Sequence, residues 1–137
     1  MAASLFLLVV WVAGCVPAGH VLLPPVTPAP GLGVIIGQVK DAGQYWRNEQ
    51  LYLYAAPYYA GQDGKGFFML EVDRHPHIRL EADGSFVLKG VPPGQYVLVV
   101  GPTAQEGRLA MDARQEILLI TVESDKVLDV GELRLHP

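Results

Sequence analysis

Two histidines and an aspartate stand at alternate positions in the middle of the chain, as Asp73, His75 and His77. If this segment is extended, side chains at every second position face the same way, so the three could ligate one metal ion. Pro76 separates the two histidines, and no clear further ligand stands nearby. We therefore expect the solvated end of a strand here, with no metal and no cofactor.

Serine nucleophiles are scarce, because the chain contains only Ser4, Ser85 and Ser124. A catalytic serine needs a neighbouring base and an oxyanion site, and none of the three stands in the strand–turn–helix pattern that exposes such a nucleophile. Ser85 instead follows a predicted turn. We expect no enzymatic activity.

Aromatic residues concentrate around the second predicted strand and the segment after it. The members of this group are Trp46, Tyr52, Tyr54, Tyr58 and Tyr59. Such side chains suit binding surfaces, because they bury large areas at low rotamer cost and keep a polar group. One interpretation is a surface that stacks a carbohydrate or clasps a peptide. The other is packing of the rings under a loop at 57–66, which the scarcity of exposed aromatic patches on monomers favours.

Charge and length restrict the classes of partner. The chain has 137 residues, with 10 basic and 14 acidic side chains and a formal net charge of -4. No cluster of Lys or Arg interrupts this acidic balance, which disfavours nucleic acid as a partner. The length leaves room for one domain, and a single cysteine excludes an internal disulfide.

The N-terminus combines an apolar stretch with that cysteine. Residues 5–12 are continuously apolar, as in a signal peptide, and well short of the ~20 residues that a membrane-spanning helix needs. They run into Val12-Ala13-Gly14-Cys15, which resembles the lipobox of bacterial lipoproteins. The resemblance implies cleavage after Gly14, so that 1–14 is a signal peptide. The alternatives are an ordinary secretory signal or an uncleaved helix that ends near Pro17.

Lipidation of Cys15 would decide where the protein resides. The resemblance implies a diacylglycerol thioether and an acylated N-terminus, carrying chains such as palmitate. Two or more acyl chains anchor stably, since each buried methylene contributes about 0.8 kcal/mol. We expect an exported protein held on the bacterial cell envelope, with the membrane and an envelope protein as partners. Val16 supplies no acidic retention signal, so we expect the outer membrane where the source has one.

A proline-rich segment at 15–32 separates Cys15 from the predicted domain at 33–137. Proline at this density disfavours both helix and sheet. As polyproline II, at about 3.1 Å per residue, positions 17–30 could hold the domain up to roughly 40 Å from the bilayer. A disordered spacer is the alternative.

The domain reads as all-β, because short apolar runs alternate with turn residues every eight to twelve positions. The predicted strands are 34–39, 50–55, 67–72, 78–82, 85–88, 96–100, 116–122 and 127–135. Apolar residues at every second position predict the buried faces of the strands. The predicted core comprises Ile78, Leu80, Ala82, Phe86, Leu88, Tyr96, Leu98 and Val100.

Turn signals separate these runs. Asp83-Gly84 predicts a two-residue hairpin, Pro92-Pro93-Gly94 a rigid reversal, and Ser124-Asp125-Lys126 a third turn. Apolar parity switches across Gly131 in the last strand, which predicts a bulge.

The run at 82–100 resembles the central signature of carboxypeptidase regulatory-like domains. Its Asp83-Gly84 hairpin, inward Phe86, Pro-Pro-Gly turn and inward Tyr96 follow the family's order. The resemblance implies a transthyretin-like, seven-to-eight-stranded Greek-key β-sandwich, a fold that hosts many functions. Segments at 57–66 and 103–114 exceed the family's usual connections.

Lys40 and Asp129 resemble the placement of an intramolecular isopeptide pair in collagen-adhesin B-type domains. Such a bond needs a buried acid beside it, and no inward Asp or Glu is evident. We do not expect the bond.

These observations predict a non-catalytic envelope lipoprotein whose β-sandwich is a structural or protein-interaction module. The alternative is a carbohydrate- or peptide-binding module that uses the tyrosine-rich region at 52–59.

Overall fold

The computed structural model describes residues 25–137, so the predicted signal peptide, Cys15 and positions 15–24 of the linker lie outside the described residues. Nine strands and one short 3-10 turn make up this part of the chain. The strands are β1 (Gly33–Val39), β2 (Tyr52–Ala60), β3 (Gly66–Phe68), β4 (His77–Arg79), β5 (Ser85–Val91), β6 (Gly94–Gly101), β7 (Arg108–Met111), β8 (Leu119–Val122) and β9 (Val127–Leu135), and the turn is Ala42–Gln44. The all-β prediction is confirmed. Among residues 25–137, no helix has the length and apolar character to cross a membrane.

The strands form one curled, mixed sheet with two halves, an arrangement compatible with a β-sandwich. In the first half, β1 pairs with β5 antiparallel and with β9 parallel. In the second half, β2 pairs with β6; β3 and β4 also pair with β2, and β7 and β8 with β6. Strand β7 then pairs with β9 and links the two halves.

The main core lies between the two halves. Its fully buried side chains come from both and include Ile35, Leu88, Leu133, Leu53, Leu98 and Val100. The predicted inward positions of β5 and β6 are confirmed, because Phe86, Leu88, Tyr96, Leu98 and Val100 are all buried. Ile78, within the short strand β4, is only half-buried, and Ala82 is exposed because β4 ends before it, at Arg79.

A second, smaller apolar cluster covers the outer face of β2 and β6. Its buried members are Tyr54, Ala56, Val97 and Val99. Leu70 and Val72, from the segment after β3, pack against them. Both faces of this part of the sheet therefore bury apolar side chains.

The Asp83-Gly84 turn differs from the predicted hairpin. Gly84 has φ +82° and its N–H donates to the Glu81 carbonyl (2.9 Å), while the Ser85 hydroxyl donates to the Asp83 carboxylate (2.6 Å). The hydrogen bonds that the Ser85 hydroxyl and backbone N–H donate to the Asp83 carboxylate lower the pKa of Asp83. The turn has a left-handed glycine after its central residues, and it connects β4 to β5, which belong to different halves of the sheet. The Glu81 N–H donates to the Ser85 carbonyl (2.9 Å), so the predicted reversal is present but closes around three residues, and the prediction of two was wrong.

Two strand predictions are corrected by pairing that the local pattern does not reveal. Strand β2 continues through Pro57 to Ala60, so 57–66 is a β2–β3 hairpin and not a loop. Pro57 lacks an N–H, but its carbonyl accepts from the Met69 N–H (3.1 Å). Strand β7 lies inside the predicted loop 103–114, because its edges pair with β6 and β9.

The predicted bulge in β9 is confirmed. Gly131 has φ +67°, and the register moves from Ile36 opposite Asp129 to Gln38 opposite Glu132, so β9 has one more residue than β1 there.

Candidate functional site

The domain has two distinct ends, which the strand registers define. At the entry end, β1 begins at Gly33, which packs against Val122, and the Gly31 N–H donates to the Asp125 carboxylate (2.8 Å). The β5–β6 turn lies at the same end, because Gly33 is opposite Val91. At the far end, β1 finishes at Val39, about 20 Å away at 3.3 Å per residue.

A groove of about 620 Å³ opens at the far end. We call it the Trp46 groove; it lies between the 3-10 turn with the segment after it and the segment from β4 to the start of β5. Its lining residues include Val39, Lys40, Trp46, Glu49, Gln50, Leu51, Arg79, Leu80 and Asp83. This volume is in the range of small-ligand sites.

Trp46 contacts the ring of Tyr45, which in turn contacts a cation. It is half-buried and packs against the main core, while its ring centroid is 5.8 Å from that of Tyr45. The guanidinium of Arg108 lies 4.1 Å from the Tyr45 ring centroid, a cation–π contact. Trp46 is therefore a positioned ring at the groove wall.

Polar side chains line the groove together with Trp46. With its amide oriented to satisfy both side chains, Gln50 accepts hydrogen bonds from the Arg79 guanidinium. The Lys40 ammonium is 3.5 Å from the Glu132 carboxylate. The groove thus combines an apolar wall with donors and acceptors, an arrangement that can bind a chain with alternating polar and apolar groups.

The tyrosines of β2 do not join Trp46. Tyr54 is 5% exposed and stacks on His77, with ring centroids 5.6 Å apart. Burial and the nearby Tyr52 raise the pKa of Tyr54. Leu70 and Val72 pack against this cluster, so the predicted packing is observed for Tyr54, but under residues 69–76 and not under 57–66. Tyr54 cannot offer its ring face to a ligand.

The β2–β3 hairpin carries the remaining two tyrosines. Tyr58 is half-buried and its ring covers Gly66. Tyr59 is 47% exposed and stacks on Phe67, which is 57% exposed, with centroids 5.3 Å apart. Phe68 and Met69 are also exposed. These neighbours were not among the predicted binding residues, although Phe67-Phe68-Met69 directly after a glycine-rich turn is a visible signal in the sequence.

The candidate metal ligands occupy a turn followed by a strand. The His75 N–H donates to the Glu71 carbonyl (2.9 Å), and the Glu71 N–H donates to His75 Nδ1 (2.8 Å). Asp73 lies within this turn, whereas His77 begins β4 against Tyr54. The extended arrangement that would align the three is not present. Across positions 25–137, no three His, Cys, Asp or Glu side chains are grouped to hold a metal.

Lys40 and Asp129 have other partners. Lys40 pairs with Glu132, and the Asp129 carboxylate accepts from the Gly131 N–H (2.8 Å). Both residues are exposed, so neither has the buried surroundings that an isopeptide bond needs.

The five predicted ligand-binding residues thus occupy three places. Trp46 lies at the far end, Tyr52 and Tyr54 lie on the outer face, and Tyr58 and Tyr59 lie in the β2–β3 hairpin. No protein-family model matches the chain, and no curated protein matches it significantly.

Proposed function

We propose that this protein is a non-catalytic lipoprotein of the bacterial envelope, tethered through Cys15, whose domain binds an envelope protein in the Trp46 groove. One observation carries the proposal: the chain enters the domain at one end, and the groove opens at the other. A domain tethered at its entry end presents the groove away from the bilayer. The outer membrane is the expected location where the source has two membranes.

The proposed fold is a transthyretin-like Greek-key sandwich of the carboxypeptidase regulatory-like kind. In support, Phe86 and Tyr96 are both buried, and the Tyr96 hydroxyl donates to the Pro92 carbonyl (2.6 Å). That hydrogen bond ties the Pro-Pro-Gly turn to the core. Domains of this kind serve as accessory or binding modules, which agrees with a non-catalytic role.

The non-catalytic part of the proposal is supported by how the serines are used. The Ser85 hydroxyl donates to the Asp83 carboxylate within a turn, and the lowered pKa of Asp83 makes this carboxylate a weak base. Ser124 is exposed in the β8–β9 turn.

The test is a pull-down of the lipid-anchored protein from detergent-extracted membranes, comparing Trp46→Ala and Arg79→Glu with wild type. Both changes remove groove contacts, so an envelope partner that co-purifies with wild type should be reduced at least tenfold. Ile117→Ala is the matched control, because Ile117 is 48% exposed and lies outside the groove. A melting curve of each variant separates loss of binding from loss of folding. Equal recovery of the partner by all variants would exclude the groove.

A carbohydrate or peptide is the second candidate ligand, since the half-buried Trp46 lines the same groove as the Gln50–Arg79 pair. Aromatic stacking with polar side contacts is a common way to hold a sugar or an extended peptide. Binding of an array ligand by wild type, lost in Trp46→Ala but kept after Tyr58→Ala with Tyr59→Ala, would favour this candidate in the groove. The reverse pattern would place the ligand-binding site in the tyrosine-rich region at 52–59.

A further inference from the structure

The β2–β3 hairpin exposes an apolar surface that the proposed groove does not use. We call it the apolar ledge and define it by Tyr59, Phe67 and Met69, which are 47%, 57% and 48% exposed. Tyr59 lies opposite Phe67, and Met69 continues the ribbon by donating its N–H to Pro57. Because side chains alternate along a strand, Phe67 and Met69 lie on one face. Large apolar side chains that are exposed side by side mark a surface that contacts a membrane or another molecule.

The apolar ledge is at the entry end of the domain. Pro57, where the hairpin leaves the sheet, lies opposite Tyr96, and the Tyr96 hydroxyl bonds to Pro92 in the β5–β6 turn. The chain enters β1 beside that turn, because Gly33 is opposite Val91. Burial and the neighbouring Tyr59 raise the pKa of Tyr96, which agrees with the closeness of the hairpin to this end.

We propose that the apolar ledge rests on the lipid bilayer that holds Cys15, as a second, non-covalent membrane contact. The inference depends on the proposed lipid anchor. Residues 15–31 are too few to reach farther than about 60 Å even when fully extended, so the anchor keeps the ledge within reach of the lipid surface. The tether gives the ledge a high effective concentration beside the bilayer, so that even a weak contact with lipid is occupied.

The chemistry of the hairpin suits the interfacial region of a bilayer. Tyr59 combines an apolar ring with a hydroxyl, the type of side chain enriched at membrane–water interfaces. The turn residues Asp63 and Lys65 are exposed and charged, so the ribbon lies along the surface, with its turn among the headgroups. Interfacial elements enter only about 5–10 Å, a depth that the three ledge side chains can reach.

The decisive experiment uses the full lipid-modified protein in vesicles of phosphatidylethanolamine and phosphatidylglycerol. The chain has one cysteine, which the anchor consumes, so Gln62→Cys places a single dye at the hairpin turn without altering the ledge. Arg47→Cys, exposed near the far end, is the matched control. We expect the Gln62 dye to be quenched at least twofold more by bromine-labelled lipids than the Arg47 dye. Equal quenching at the two positions would overturn the inference.

A second variant tests the ledge itself. Tyr59→Ser, Phe67→Ser and Met69→Ser together should remove the excess quenching at Gln62 while the protein still floats with the vesicles. None of the three side chains belongs to the buried core, so the triple variant should stay folded, and a melting curve is the folding control. Retained quenching would exclude the ledge as the contact.

Flotation separates the two proposals. Wild type that fails to float removes the lipid anchor and the inference with it, whereas wild type that floats with an unquenched Gln62 dye removes only the inference. If the Gln62 dye is unquenched by lipid and the triple variant loses a protein partner, the ledge binds that protein. If the Gln62 dyes instead quench one another, the ledge binds a second copy of the chain. Either result overturns the bilayer contact.

Discussion

Tyr54 and Tyr59 are five positions apart on one strand and have opposite surroundings. Tyr54 is 5% exposed within the outer-face cluster, whereas Tyr59 is 47% exposed on the hairpin. An odd separation along a strand places the two side chains on opposite faces of the sheet. Residue type alone made both tyrosines candidate ligand contacts, and burial distinguishes them.

Substitution of each tyrosine by alanine should give very different losses of stability. Tyr54→Ala removes a buried ring stacked on His77 and should lower the free energy of unfolding by about 3–5 kcal/mol. Tyr59→Ala truncates an exposed ring and should cost about 1 kcal/mol or less. Urea unfolding of both variants measures the difference. Comparable losses would contradict the burial of Tyr54 beneath residues 69–76.

At the level of elements, the Asp83-Gly84 turn between β4 and β5 is under tighter steric constraint than the turn that closes the β2–β3 hairpin. Gly84 and Gly64 both have positive φ, at +82° and +77°. A Cβ on Gly84 would meet the backbone carbonyl of Val39, whereas one on Gly64 would meet nothing within 4 Å. The Asp83-Gly84 turn packs against the end of β1, but the β2–β3 turn projects into solvent.

Alanine at the two glycines separates backbone strain from steric contact. Gly64→Ala should cost about 1 kcal/mol, because an L-residue is forced into a left-handed conformation. Gly84→Ala should cost more than about 2 kcal/mol, since the backbone at Val39 must also move. Thermal or denaturant unfolding of the pair is the measurement. A Gly84→Ala loss no larger than that of Gly64→Ala would show that the turn and β1 are not in close contact.

For the whole molecule, the important feature is the separation of its two ends. The entry end carries the start of β1 and the apolar ledge, and the far end carries the Trp46 groove. A protein held by its N-terminal linker would keep one end near the bilayer and offer the other to a partner. The two proposals therefore use different surfaces and do not compete.

Under the proposed anchoring, replacement of Cys15 should release the protein from the membrane. Cys15→Ser abolishes acylation, so we expect the variant in the soluble fraction after carbonate washing, while wild type stays in the pellet. The ledge alone gives a weak contact and should not retain the variant. Fractionation of cells that express each form, with immunoblotting, is the measurement. A Cys15→Ser protein that still sediments with lipid would contradict anchoring through this residue.

The sequence by itself determined the strand-rich character and much of the core. Alternation placed Phe86, Leu88, Tyr96, Leu98 and Val100 inward, and all five are buried, because one face of a pleated strand must avoid water. The parity switch at Gly131 located the bulge for the same reason. These features depend on neighbours along the chain, which the sequence displays.

Only the tertiary structure decided which aromatic residues meet and which face solvent. Strand β2 passes through Pro57 because β3 pairs with its far half, and β7 exists because β6 and β9 supply partners on its edges. Tyr54 is covered by the segment after β3, and Trp46 stands in a groove at the other end of β1 from the hairpin. Each outcome depends on contacts between residues distant in the chain, which local periodicity does not encode.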